Sequence, residues 1–387
     1  MKTTRTFYVQ APSNIAIVKY MGKEDSSANL PSNGSLSMTL SGLATHAVLR
    51  VRTREVAGGE SSGFRWCEET TLVNSLLAAG SDPRLSVPKM DDKGRLRIEK
   101  HAAKAQQLGV ELLQSFGIQV IKGTADVVGE FCAGNTFPAS SGIASSASSF
   151  AAITLGVVAS LAEKIEDFEK LYSCDLEFRR KLAEISRQGS GSSCRSFEGP
   201  WVKWEGQRAE SVPHRLPELT DFVIVVGKTP KEVSSSEAHL RVKGSPLWGG
   251  RTARVQARLA RVEGAVREGD LVSLARESWD ELWEMHSLFH TSQPPFSYWL
   301  PESLAVLREL SKWVLSPASI GLNSPLVATM DAGPNLHCLV RTEEAAHFRG
   351  VLKKYLAEHL PQAEILEDPQ GGGATVRLLS SLNGGLR

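Results

Sequence analysis

The amino-acid sequence predicts an α+β protein of two domains, and three observations carry that prediction. Its 387 residues, 41% hydrophobic and 22% charged, suffice for two cores. Alternating strand patterns and helical patterns both recur, with extended structure dominating early. A polar stretch with two prolines, residues 205–217, separates them, so the domains are read as residues 1–212 and 213–387.

Residues 7–11 and 45–52 alternate apolar and polar side chains, as half-buried strands do. The apolar run at residues 15–20 reads as another strand, with Lys19 on one face and Tyr20 on the other, and Lys23 past the turn that Gly22 permits. Helical spacing follows at residues 102–116, 145–164 and 168–187, the last with Leu171, Leu182 and Ile185 on one face. Residues 201–204 and 222–226 are strands, and the second is apolar throughout, as a strand covered on both faces must be. A long amphipathic region, residues 251–290, is interrupted near Gly269-Asp270 and followed by helix at residues 302–315. Two short apolar runs, residues 326–330 and 336–340, are joined by the turn-rich Asp331-Ala-Gly-Pro-Asn335. Helix at residues 343–359 and a strand at residues 375–379 would complete the second α+β unit.

Lysine and arginine number 44 against 43 acidic residues, a net charge of +1, so no global field draws the chain to nucleic acid or an anionic membrane. Any anionic ligand must be held by local groups. Cys67, Cys132, Cys174, Cys194 and Cys338 are odd in number and widely spaced, which argues against a disulfide framework or zinc site and for a reducing cytoplasm. The N-terminus lacks an apolar core of signal-peptide length. The uncharged residues 143–162 are long enough to span a bilayer but carry five serines and a threonine, so they read as a buried core helix. His286 and His290 have metal-ligand spacing on a helix, but no third ligand follows nearby, and they read as core or surface histidines.

Candidate chemistry lies in five segments. The run Phe137-Pro-Ala-Ser-Ser-Gly-Ile-Ala-Ser-Ser-Ala-Ser-Ser149 joins tiny side chains to a helix start near Ile143, where backbone N–H groups, hydroxyls and the helix dipole suit an oxyanion. A small-residue helix packed on a sheet is the competing reading of that run alone. In residues 11–23, Lys19 and Lys23 sit in an otherwise apolar run, where a lysine must reach water along its stem or meet an acid. Residues 186–196 offer Gly189, Ser190, Gly191 and Ser192 with Arg195, whose fork suits phosphate or carboxylate; a flexible Gly/Ser loop is the alternative. Lys231-Glu-Val-Ser-Ser-Ser236 adds hydroxyls that would equally serve a helix N-cap. Asp331, at a strand end, is either a turn former or a base for a hydroxyl attacking a phosphoryl group.

Together these segments resemble the GHMP small-molecule kinase superfamily and, within it, the mevalonate diphosphate decarboxylases, ATP-dependent enzymes of isoprenoid biosynthesis. The resemblance is carried by Ala11-Pro-Ser-Asn-Ile-Ala, Lys19-Tyr-Met-Gly-Lys23, Leu30-Pro-Ser-Asn-Gly-Ser-Leu-Ser37, Asn135-Thr-Phe-Pro-Ala-Ser-Ser-Gly-Ile-Ala-Ser-Ser146, Gly189-Ser-Gly-Ser-Ser-Cys-Arg-Ser196, Val233-Ser-Ser235 and Asp331-Ala-Gly-Pro-Asn335. It implies a two-domain GHMP-kinase-like α+β fold, the second domain ferredoxin-like, with the active site in the interdomain cleft. It implies ATP over Pro138, Ser141, Gly142, Ala144, Ser145 and Ser146, and Mg²⁺ held through the ATP phosphates, with Ser145 as the candidate protein ligand. Tyr20, Lys23, Ser190, Ser192 and Ser235 would hold the substrate diphosphate and Arg195 its carboxylate. Asp331, Lys19, Arg195 and Asn14 would be catalytic, with Lys19 paired to Asp331, and the chain would form a homodimer.

Related decarboxylases read Tyr-Trp-Gly-Lys-Arg-Asp where this chain has Tyr20-Met-Gly-Lys-Glu-Asp25. An acid beside a terminal phosphate would repel it, so Glu24 admits the monophosphate as an alternative substrate. Residues 289–298 also depart from the usual family wording. Two further alternatives are a mevalonate-type kinase that stops before elimination and a non-catalytic binding protein. The latter should have lost the cradle serines, Arg195 or Asp331, and none is lost.

Overall fold

The computed structural model describes residues 3–53, 63–121, 127–138, 145–228 and 231–383. The chain opens with β1 (Thr3–Val18), the short pair β2 (Lys23–Asp25) and β3 (Leu30–Pro31), and β4 (Ser35–Thr53). Strands β1 and β4 run antiparallel, Phe7 opposite Leu49 and Ile15 opposite Met38, with the register shifting between Pro12 and Asn14. Proline has no N–H to give the ladder, and such an irregularity bends the strand and re-aims its side chains. One strand pair therefore serves two cores. Phe7, Val9, Leu49 and Val51 join the first, and Ile15, Ile17, Leu36 and Met38 the second.

The first half continues with β5 (Gly63–Trp66), α1 (Thr70–Gly80), α2 (Asp92–Ser115), β6 (Val127–Asn135), α3 (Ser145–Leu161), α4 (Ile165–Cys174), α5 (Leu176–Arg187), β7 (Trp201–Glu205) and β8 (Arg208–Ser211). Helix α3 is buried from Phe150 to its end, as expected of a core helix. Its small residues bring it close to the sheet: a Cβ on Gly156 would lie 2.5 Å from Leu49 Cδ1 and 3.0 Å from Val9 Cγ2. The single helix expected at residues 168–187 is two, α4 and α5. Asp175 divides them, because its carboxylate accepts the Glu177 and Phe178 N–H groups and caps α5. Helix α2 starts ahead of the expected residue 102, after Asp91 accepts the Gly94 N–H, and its largely exposed first turns hide the apolar period. Within the polar stretch 205–217, β8 pairs with β7 across a turn at Gly206, whose φ is +56°.

The second half contains β9 (Leu219–Val225), α6 (Ser235–Arg241), α7 (Arg251–Glu268), α8 (Leu271–His290), α9 (Pro301–Leu315), β10 (Val327–Met330), β11 (Leu336–Arg341), α10 (Ala345–His359), β12 (Glu364–Pro369) and β13 (Thr375–Asn383). Every residue of β9 is buried. Gly269, with φ +83°, ends α7, and Asp270 caps α8 by accepting the Ser273 N–H, which accounts for the interruption seen in the sequence. The second sheet is antiparallel in the order β10-β11-β9-β12. Its fourth strand is β12, not the expected terminal strand. Four of the six residues of β12 are Glu, Asp or Pro, so it carries little strand signal.

Strand β13 crosses back and pairs with β1, Phe7 opposite Leu378, giving the first sheet the path β13-β1-β4-β6-β5. Asp368 of β12 also ties the halves together, its buried carboxylate accepting the Gly42 and Leu43 N–H groups of β4. Burial pushes its pKa up to about 6. Among the described residues no helix is long and apolar enough to cross a membrane.

Candidate active site

Strand β1 ends at Val18, and the next residue leaves the ladder. The Lys19 N–H, with no strand partner, donates to Glu281 Oε1 of α8 at 3.1 Å. Its Nζ donates to the Ala16 carbonyl and to Asp331 Oδ1, both at 2.6 Å. Asp331 directly follows β10, so the pair joins the ends of two strands from opposite halves of the chain. The lysine side chain is 2% exposed and the aspartate 21%. Burial pushes the Lys19 pKa down, against the pull of Asp331. Burial alone would raise Asp331, but the charge and hydrogen bond of Lys19, with His337 and Arg195, hold it below the ordinary carboxylate range. The carboxylate therefore stays ionised at neutral pH.

Beside this pair opens a cleft of about 460 Å³. Tyr20 lines it from just past β1 and Lys23 from the start of β2, Ser190, Gly191, Ser192 and Arg195 from the segment after α5, and Ser145 and Ser146 from the start of α3. Lys231, Ser234, Ser235, Ser236 and Asp331 line it from the second half. Arg195 is 3% exposed; its Nη1 donates to Ser35 Oγ at 2.6 Å and its Nε to Asn14 Oδ1 at 3.2 Å. Its Nη2 makes no hydrogen bond among the described residues. Asn14 also donates to Ser196 Oγ at 3.1 Å, so it stands behind Arg195 and off the cleft wall.

The Tyr20 ring packs on Trp204 and His239, with centroids 4.6 and 4.3 Å away, and its buried hydroxyl has no partner among the described residues. Burial raises its pKa. Glycine is required at Gly191, where a Cβ would lie 2.8 Å from this ring. His239 accepts the Gly22 N–H at 2.9 Å, and burial lowers its pKa to about 3, so it stays neutral. Lys23 Nζ donates to Asn29 Oδ1 at 2.6 Å. Ser235 is the first residue of α6, capped by Ser234.

Of the expected nucleotide residues, Ser145 and Ser146 reach the cleft, and Ser146 Oγ lies 3.2 Å from Ser190 Oγ. Pro138 is half-buried and off its wall. Ser141, Gly142 and Ala144 lie outside the described residues. Glu24 is exposed and off the wall, while Lys23 beside it points in; along the β2 strand neighbours face opposite sides. That removes the charge argument by which Glu24 admitted the monophosphate as an alternative.

Two cleft cations carried no site assignment from the sequence. Arg97 of α2 lies over the Phe150 ring and donates to the Gly189 carbonyl at 3.0 Å. Lys231 donates to the Ala332 carbonyl and lies over the Tyr298 ring. Lys231 stood in a flagged serine segment, whereas an arginine on a half-exposed helix gives no local signal. His286 stacks on Trp299 inside the second half. Asp331 is the one carboxylate on the cleft wall among the described residues, and Lys19 already holds its Oδ1. The donor set fits Mg²⁺ held by bound phosphates with the Ser145 hydroxyl, and does not fit a carboxylate cage.

Two sheets with a cation- and serine-lined cleft between the halves define a protein of the GHMP kinase fold. Residues 11–59 and 87–212 match the diphosphomevalonate decarboxylase-like N-terminal domain, and residues 222–377 the mevalonate 5-diphosphate decarboxylase C-terminal domain. A diphosphomevalonate decarboxylase of Ganoderma lucidum is 30% identical over 382 residues, 93% of this chain and 84% of the relative. The crystal structure of a mevalonate diphosphate decarboxylase from Legionella pneumophila superposes with a TM-score of 0.67 at 31% identity, covering 93% of this chain and all of the other. A complex of MDDEF with MVAPP, AMPPCP and magnesium shares the fold, with a TM-score of 0.68 at 24% identity, covering 97% and 99% of the two chains. The chain belongs to the diphosphomevalonate decarboxylase family.

Proposed function

We propose that the chain catalyses the ATP-dependent decarboxylation of mevalonate 5-diphosphate to isopentenyl diphosphate, with release of ADP, phosphate and CO₂. The observation that carries this reading is the Lys19–Asp331 pair, a carboxylate held ionised by a buried lysine and left open to the cleft. Tyr20, Lys23, Ser190, Ser192 and Ser235 hold the diphosphate, joined by Arg97. Asn14 and Ser35 steady Arg195, which holds the substrate carboxylate bidentately. Ser145 and Ser146, at the start of α3, address the nucleotide phosphates with Lys231; the complex of MDDEF with AMPPCP and magnesium supports ATP and Mg²⁺ as the ligands. Mg²⁺, held through those phosphates, would supply charge neutralisation at the transferring phosphoryl group.

Asp331 accepts the proton of the substrate 3-hydroxyl as that oxygen bonds to the γ-phosphorus and ADP departs. The new phosphate ester then leaves with the electrons of the C3–O bond. The electron pair of the bond between the carboxyl carbon and C2 becomes the C2=C3 double bond, and CO₂ is released. Residues 1–212 would supply the nucleotide cradle and residues 213–387 the base.

Incubation with ATP, Mg²⁺ and either mevalonate 5-diphosphate or the 5-monophosphate, following ADP and CO₂ together, tests this. Equal ADP and CO₂ with the diphosphate are expected. ADP without CO₂ would leave a kinase, and turnover of the monophosphate alone would reassign the substrate. The five free thiols support a reducing, cytoplasmic setting, and the family resemblance a homodimer, which light scattering in solution would check.

A further inference from the structure

We infer that Glu281 is the positioning residue of the Lys19–Asp331 pair, and that α8 is the element on which the two strand ends are aligned. This rests on the proposed role of that pair. Lys19 and Asp331 are 312 residues apart and follow strands in different sheets, so no ladder sets their register. Helix α8 touches both ends. Ser278 Oγ donates to the Ala328 carbonyl of β10 at 3.0 Å, and Glu281 Oε1 accepts the Lys19 N–H at 3.1 Å. Ser278 and Glu281 are three residues apart, hence neighbours on one helix face.

Glu281 is fully buried, and its carboxylate is fixed from the α7 side. Arg251 donates Nη2 to Oε1 at 2.5 Å and Nη1 to Oε2 at 3.1 Å, while Arg258 Nη1 donates to Oε2 at 2.5 Å. Glu284 and Glu277 hold the two arginines in turn. A carboxylate anchored this way cannot follow Lys19 if the chain shifts; it holds the Lys19 backbone where Nζ meets Asp331. It also satisfies a buried N–H just past the last ladder residue, so one bond both ends the strand and aims the side chain.

Glu281→Asp keeps the charge for the arginines but withdraws the carboxylate by one methylene. The expected result is a kcat lower by roughly tenfold to a hundredfold, the cost of a small misplacement at the reacting centre. KM for ATP and for the diphosphate should stay within about twofold of wild type. The acid limb of the kcat profile should move up, because a loosened Lys19 no longer holds Asp331 low. The other groups facing Asp331 are Arg195, His337, His286 and Lys231, none of which the substitution touches. Ser278→Ala should lower kcat about threefold in the same direction, and it decides the matter if Glu281→Asp does not fold.

Unchanged kcat and acid limb in folded variants would overturn the inference, as would a Glu281→Asp crystal structure that keeps the 2.6 Å Lys19–Asp331 contact. Failure of the proposed function is separately visible, since wild-type protein would then release no CO₂ with ADP.

Discussion

Two ion pairs lie one hydrogen bond apart and are finished differently. In the Arg251–Glu281 pair both side chains are fully buried, and both oxygens of Glu281 are engaged by Arg251, Arg258 and the Lys19 N–H. In the Lys19–Asp331 pair the lysine is buried, but the aspartate keeps 21% exposure, and its Oδ2 makes no hydrogen bond among the described residues. Burial is common to both, so it does not distinguish scaffold from chemistry. The open lone pair does: a carboxylate held ionised and left unsaturated on a cleft wall can take a proton, and a saturated one cannot.

The sharpest way to break the comparison is to remove the open lone pair's basicity. Asp331→Asn keeps the volume and an oxygen for Lys19, so the fold should persist while turnover falls by roughly 10²–10⁴-fold, the usual worth of a positioned base. Nucleotide affinity, measured by titration calorimetry, should change less than about twofold. Substantial residual kcat would remove Asp331 from the role of base. On the saturated side the loss should appear as stability. Arg251→Met leaves a buried carboxylate short of its main partner, and such cuts cost about 3–5 kcal/mol. An unchanged denaturant midpoint would show that Arg258 suffices.

These two pairs were unequally legible in the sequence. Lys19 stood out because a lysine among Ile17, Val18 and Tyr20 must reach water along its stem or meet an acid, and the resemblance pointed to Asp331. Glu281 looked like any charge on an amphipathic helix, because its burial depends on α7 folding over it. The same contrast runs through the fold. Strand β9 and helix α3 announce double coverage in their own composition. The pairing of β13 with β1 is invisible, because an alternating pattern says that a strand exists and not which strand receives it. The break at Asp175 was hidden because a capping aspartate is locally indistinguishable from an exposed helical one.

Lys19→Met tests what the buried cation contributes. With Lys19 gone, burial is opposed only by the weaker pull of His337 and Arg195, and the pKa of Asp331 rises. A larger fraction is then protonated at a given pH, so activity should be lost as pH falls through a higher value than in wild type. At neutral pH kcat should drop roughly 10–100-fold. If the acid limb of kcat against pH does not move, Lys19 does not set the ionisation of Asp331.

Lys23 supplies a third arrangement, a cation whose partner is neutral. Its Nζ donates to Asn29 Oδ1 at 2.6 Å, while Asn29 Nδ2 donates to the Arg187 and Gln188 carbonyls at 3.1 Å, just before the serine segment. The clamp fixes Lys23 on the cleft wall that Ser190 and Ser192 also line, without cancelling its charge, which stays available to a diphosphate. Asn29 has φ +51°, so Asn29→Gly keeps the backbone while deleting the amide. Losing a hydrogen bond to a charged group costs about 1.5 kcal/mol, so KM for the diphosphate should rise about tenfold with kcat and the ATP KM nearly unchanged. Equal losses in both KM values would instead mean that Asn29 supports the whole cleft and does not act through Lys23.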